Sequence, residues 1–164
     1  YKGSAIKKCL QDFETAVQLG KYDMVVYIGH NGLMDFDLPE PRRSDRQAKV
    51  PDCIVLCCKS EKYFNTRLRA AGGRPILLTT QFMYPGSFIL HAVLDGWLAG
   101  ADPGKLREAA GAAYAKNQKL ATKAGLGVFS KLAAEAASGP SSETPRGPTS
   151  RPRDSSDGKK GSDS

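Results

Sequence analysis

Two stretches decide the fold: Asp23-Met24-Val25-Val26-Tyr27-Ile28-Gly29-His30-Asn31-Gly32 and Asp52-Cys53-Ile54-Val55-Leu56-Cys57-Cys58-Lys59-Ser60. Each holds a short, continuous apolar run rich in β-branched or aromatic residues and stops at turn-forming or reactive side chains. Runs of that length, separated by helical segments, are the pattern of parallel strands buried on both faces in an α/β sheet. In such sheets the carboxyl ends of adjacent strands share one edge, where ligands bind. His30 ends the first run and Cys58 the second, so a base and a nucleophile are expected on the same edge.

Working outward, residues 4–19 read as an amphipathic helix, with Ser4 as N-cap and Ile6, Leu10, Phe13 and Val17 on one face. Gly20 sits where a left-handed C-terminal residue belongs. Residues 33–51 read as a polar connection. Within it, Leu33-Met34-Asp35-Phe36-Asp37-Leu38 alternates apolar and acidic residues and could form a short strand or hairpin, before Pro39 and Pro41 enforce a loop. Residues 61–71 read as a helix turning Tyr63, Phe64 and Leu68 inward, and Gly72-Gly73 ends it. Residues 75–80 read as a third strand opened by proline.

From Ser87 to Leu98 nearly every position is apolar, which predicts a helix buried on more than one face, with His91 and Asp95 inside it. Trp97, Phe88 and Tyr114 read as core residues. Asp102-Pro103 marks the start of another helical region. That region, to about residue 136, is interrupted by Gly111, Gly125 and Gly127 and predicts one or two loosely packed helices. Residues 138–164 carry no bulky apolar side chain and read as a disordered tail. The expected organisation is therefore an α/β domain over residues 1–101, a helical extension over 102–137 and a tail over 138–164. Three strands are few for a doubly wound sheet, and both outer edges should be open, so a partner or a preceding segment is expected to complete it.

Composition narrows the function. The 164 residues suit one domain, and 40% apolar residues supply a modest core. The formal charge is +7. Its basic excess lies in the loop carrying Arg42, Arg43, Arg46 and Lys49 and in the C-terminal half, without the interleaved aromatics of a nucleic-acid surface. A basic nucleic-acid-binding protein is therefore a reading from charge alone. No basic amphipathic helix or membrane-length apolar run points to a lipid partner. The cysteines at 9, 53, 57 and 58 have neither a disulfide-framework spacing nor paired zinc-ligand spacing, and they suit a reduced, cytoplasmic setting. No metal is expected from that cysteine spacing, and no cofactor, because Gly29-His30-Asn31-Gly32 lacks the spacing of phosphate-binding loops.

The strand ending in Gly29-His30, succeeded by an apolar strand ending in Cys57-Cys58, resembles the caspase-like cysteine peptidases, the group of caspases, gingipains, separase and CHAT-type domains. The segment Gly73-Arg74-Pro75-Ile76-Leu77-Leu78-Thr79-Thr80 and the helix ending Asp95-Gly96-Trp97-Leu98-Ala99-Gly100 are similar to the strand and helix that come after the nucleophile in that family. The resemblance spans roughly residues 22–100. It implies a three-layer sandwich with a small, mainly parallel sheet, incomplete at its N-terminal side, and a peptide or protein substrate. It also implies Cys58 as nucleophile, His30 as acid/base, and backbone amides of Asn31, Gly32 and Cys58 as oxyanion donors. Thr79, Thr80 and Gln81 would then line the substrate pocket, and Asp35 or Asp37 folded over it would favour a basic side chain. This chain departs from the family pattern in placing Asn31 between His30 and Gly32, and Lys59 directly after Cys58. An inactive interaction module on the same scaffold is the alternative expectation.

The residues themselves support this chemistry without the family. A free thiol near pKa 8.5 is mostly protonated at neutral pH. Helix-start dipoles and Lys59 would favour the thiolate, and His30 would take the thiol proton or return it to a leaving amine. Against this stands the tendency of cysteines to be buried core residues, and three of the four sit on one apolar run.

Overall fold

The computed structural model describes residues 3–132. Three parallel strands, β1 (Met24–Ile28), β2 (Asp52–Leu56) and β3 (Arg74–Leu77), lie in the order β1-β2-β3. Among the described residues five α-helices accompany them: α1 (Ile6–Leu19), α2 (Ser60–Ala70), α3 (Ser87–Leu98), α4 (Pro103–Gln118) and α5 (Thr122–Gly127). The β1–β2 pair runs without irregularity from Met24 opposite Asp52 to Ile28 opposite Leu56. No helix among the described residues is long and apolar enough to cross a membrane.

Strand periodicity explains the layering. Val25 and Tyr27 of β1 and Cys53 and Val55 of β2 face α1 and α2, packing with Leu10, Phe13, Val17, Phe64 and Leu68. Phe13, Tyr27 and Phe64 make mutual ring contacts at 5.7–6.3 Å between centroids. On the other face Ile54 and Leu56 pack with Ile76, Leu77, Ile89, Val93, Leu106, Ala110 and Tyr114. The result is an α/β sandwich of three layers. At Pro75, which has no N–H to donate, the β2–β3 register slips, and both Ile76 and Leu77 join the second face.

The structure corrects several expectations. The first helix starts at Ile6 after a 3-10 turn at Gly3–Ala5, and no side chain caps it. Gly20 does take the left-handed conformation at its end (φ 56°). Residues 33–38 form no strand; a 3-10 turn at Gly32–Met34 leads into an irregular loop. Gln47 anchors the later part of that loop. Its amide donates to Val17 O and Gly72 O at 3.0 Å each, which joins the C-terminal ends of α1 and α2.

Helix α3 is not enclosed. Only Ile89 and Val93 are buried, Leu94 and Leu98 are exposed, and His91 and Asp95 face solvent. Burial is set by which neighbours arrive, and α4 covers one side only. Trp97 is fixed instead by Asp52, accepting its indole N–H at 2.7 Å, while the same carboxylate holds Arg74 Nε at 2.6 Å.

The helices after residue 102 belong to the same core. Asp102 caps α4 through Lys105 N at 3.1 Å, as the Asp-Pro pair suggests. Helices α4 and α5 pack closely because Gly111 and Gly125 meet there. Beyond them, Phe129 bridges Thr79 antiparallel, so residues 128–130 flank the segment continuing β3. Hence the β3 side is covered at that end, whereas β1 has no further strand beside it among the described residues. The expected tail at 138–164 lies outside the described residues.

A methyl group on Gly125 would sit 2.5 Å from Gly111 O and 2.7 Å from the Ala115 methyl. Gly125→Ala is therefore expected to lower stability by about 1–3 kcal/mol, read as a lower urea midpoint with unchanged slope.

Candidate active site

The in-register β1–β2 pair ends at Ile28 and Leu56, and His30 and Cys58 each lie two residues beyond those partners. Gly29 N still donates to Leu56 O at 3.2 Å, so pairing persists one residue past the strand. The two chain ends are then tied together by Asn31. Its side chain is fully buried, donating from Nδ2 to Cys58 O at 2.7 Å and accepting from Leu33 N at 3.2 Å. Tyr27 adds a second brace, its hydroxyl donating to His30 O at 2.6 Å.

The Cys58 thiol is half-buried and donates to Met83 O at 3.6 Å. The His30 ring is 58% exposed, and its Nε2 is 2.5 Å from Asp35 Oδ2. In this state each group is thus held by a partner other than its expected one. Among the described residues no group of three His, Cys, Asp or Glu side chains is placed to hold a metal ion.

After Cys58 the chain must reverse into α2, and Lys59 does so with φ 52°. This left-handed conformation costs an L-residue roughly 1–2 kcal/mol, which is why small residues suit such a turn. The Lys59 ammonium lies 4.2 Å from the Phe82 ring centroid, a cation–π contact. The first α2 amides are already engaged: Lys59 N donates to Gln81 O at 2.9 Å, Ser60 N to Thr79 Oγ1 at 3.1 Å, and Glu61 N to Thr79 O at 3.0 Å. The helix-start dipole therefore acts through bonded amides.

Of the expected oxyanion donors, the Gly32 amide donates to His30 O at 3.1 Å. Among the described residues the Asn31 and Cys58 amides carry no such bond. Thr79 is fully buried; its hydroxyl donates to Cys57 O, and its amide donates to Ser60 Oγ at 2.8 Å. It braces the turn that carries Cys58 through Cys57 O and Ser60. Thr80 and Gln81 are not part of that knot; their side chains reach Gly127 O at 3.0 and 3.2 Å. Asp37 lines a separate cavity of about 300 Å³ with Leu33, Phe36, Leu38, Tyr63 and Arg67, neither Cys58 nor His30 contributing. Behind it, Arg67 makes a two-pronged bond to buried Glu14 at 2.7 and 2.9 Å.

The surface beside the thiol includes residues that sequence reasoning missed. Phe82 and Tyr84 are exposed at 64% and 62%, flanking Met83, whose carbonyl meets the thiol. Phe82-Met83-Tyr84 is uniformly apolar or aromatic, so nothing in the sequence told the buried Met83 from its exposed neighbours. Compared with protein-family models, curated proteins and solved structures, the chain matches none.

Two outcomes are expected. Asn31→Ala should cost about 1–3 kcal/mol, since the Cys58 carbonyl loses its donor; urea unfolding measures this. Burial, with the Asp52 charge adding, pushes the Cys53 thiol above its ordinary value to about 12, and burial raises Cys57 as well. Raised thiol values in the folded state stabilise it only while the unfolded thiols stay protonated. Stability should thus hold below about pH 9 and fall as pH climbs toward about 12, and the fall in urea midpoint should be shallower in Cys53→Ala.

Proposed function

We propose that this domain is a cysteine hydrolase using Cys58 as nucleophile and His30 as acid/base. The finer reading is a caspase-like endopeptidase acting on peptide or protein substrates. The observation that carries it is the matched register of two parallel strands whose ends present His30 and Cys58 at equivalent positions, tied together by Asn31. The parallel three-stranded sheet with helices on both faces supports the scaffold.

In the proposed reaction His30 takes the Cys58 proton, and the thiolate attacks the scissile carbonyl carbon. The amides of Asn31 and Cys58, which donate to no backbone carbonyl among the described residues, would stabilise the resulting oxyanion. Collapse of that intermediate breaks the C–N bond while the imidazolium returns its proton to the leaving amine. Water, deprotonated by His30, then releases the acyl group and restores the thiol. Substrate would lie along Phe82 and Tyr84, the exposed side chains on either side of the carbonyl that meets the thiol.

One observation favours a second reading, a non-catalytic interaction module on this scaffold. The Cys58 thiol bonds to Met83 O, and Lys59 occupies the left-handed turn with its ammonium on Phe82. The two readings separate by labelling. A thiol-reactive peptide probe should modify Cys58, and His30→Ala should slow that labelling by about 10²-fold or more. Equal labelling of wild type and His30→Ala, located by peptide mapping, would assign the chain to the non-catalytic reading.

A further inference from the structure

We propose that Asp35 is the positioning carboxylate of His30, so that the site works as a Cys58–His30–Asp35 unit. This rests on the hydrolase reading and replaces the substrate-binding part expected of Asp35. The contact is direct: Asp35 Oδ2 lies 2.5 Å from His30 Nε2. A neutral imidazole has one N–H donor and one lone-pair acceptor. Because a carboxylate only accepts, the nitrogen facing Asp35 carries the proton. The other nitrogen, Nδ1, keeps its lone pair for the Cys58 proton. When that proton arrives, the imidazolium stands opposite a negative charge.

Backbone geometry holds the carboxylate in place. Asn31 caps the Gly32–Met34 turn, and Asp35 closes it by donating its N–H to Gly32 O at 3.0 Å. The same Asn31 side chain grips Cys58 O, and Tyr27 fixes His30 O. One short turn thus carries base and carboxylate together and is fastened to the nucleophile's own backbone. Asp37, the next acid, belongs to the separate cavity beside Arg67. The His30 and Asp35 side chains are 58% and 59% exposed, so water weakens their bond until a substrate covers them.

The test is the rate at which iodoacetamide alkylates Cys58 in the full chain, read by peptide mass spectrometry in wild type, Asp35→Asn, Asp35→Glu, His30→Ala and the His30→Ala/Asp35→Asn double variant. The reagent is small and uncharged, so it needs no substrate contacts. Asp35→Asn should slow the reaction roughly two- to fivefold, the range set by an exposed ion pair, and Asp35→Glu should recover most of it. In the His30→Ala background Asp35→Asn should change nothing, because Asp35 acts only through the imidazole. In peptide hydrolysis the loss should fall on kcat, with KM unchanged. Wild-type alkylation by Asp35→Asn while His30→Ala is slow would overturn the inference and leave the hydrolase reading standing. An equal slowing by Asp35→Asn with and without His30 would reduce Asp35 to a structural part. A raised KM at unchanged kcat would return it to substrate binding. His30→Ala alkylating at the wild-type rate would remove both readings.

Discussion

The edge that carries His30 and Cys58 depends on the buried Asn31 side chain. It spans the ends of β1 and β2 and meets Cys58 O and Leu33 N with opposite ends of one amide. Parallel strands provide no hairpin to lock their ends, and the connection from β1 to β2 runs through a long irregular loop. Without a cross-link, the residues beyond each strand would be free to diverge. A buried amide satisfied on both sides gains in a low-dielectric setting, whereas a missing partner there is costly. His30 and Cys58 inherit their placement from that constraint, one residue before Asn31 in the first case and at its acceptor in the second.

A second polar knot does the same between β2 and the segment after β3. Ser60 Oγ donates to Val55 O at 2.8 Å and accepts from Thr79 N at 2.8 Å, while Thr79 answers with its hydroxyl on Cys57 O. Ser60 and Thr79 are both fully buried, so the turn from Cys57 to Ser60 is held by reciprocal bonds rather than by packing alone. This rigid support allows Lys59 to keep its left-handed backbone. Strain of this kind persists only where the surroundings over-determine the conformation. The two knots bracket Cys58, fixing its carbonyl from one side and its neighbours from the other, while its thiol remains half-buried at the surface.

The sequence was legible where the physics is local. Apolar runs of β-branched residues marked β1 and β2, Gly20 marked the end of α1, and Asp102-Pro103 marked the start of α4; each signal depends on a few adjacent residues. The placement of His30 and Cys58 on one edge came from strand order alone. What stayed hidden was long-range. Nothing near Asn31 in the chain announces Cys58, and nothing near Gln47 announces the ends of α1 and α2. The approach of Asp35 to His30 was hidden too, because the turn that folds it back is stabilised by a partner of Asn31 that lies 27 positions away. Helix α3 misled for the opposite reason. Its composition spoke of burial on more than one face, but composition cannot say how many neighbours come.

The resting arrangement is inexpensive to rearrange. A thiol is a weak donor, so the Cys58 bond to Met83 O holds the sulfur lightly. The His30–Asp35 pair is open to solvent, and in the proposed Cys58–His30–Asp35 unit it is kept while the thiol moves. Rotating the thiol from the Met83 carbonyl toward the imidazole therefore gives up little, while the costly features, the Asn31 amide and the Ser60–Thr79 knot, remain untouched. For the hydrolase proposed above, backbone braced in this way would set positions before substrate arrives, leaving only the weak thiol bond to exchange when it does. The exposed rings of Phe82 and Tyr84 fit the same logic. Under the proposed hydrolase reading, a chain laid across them would exclude water from the His30–Asp35 pair and strengthen it as a proton moves onto the imidazole.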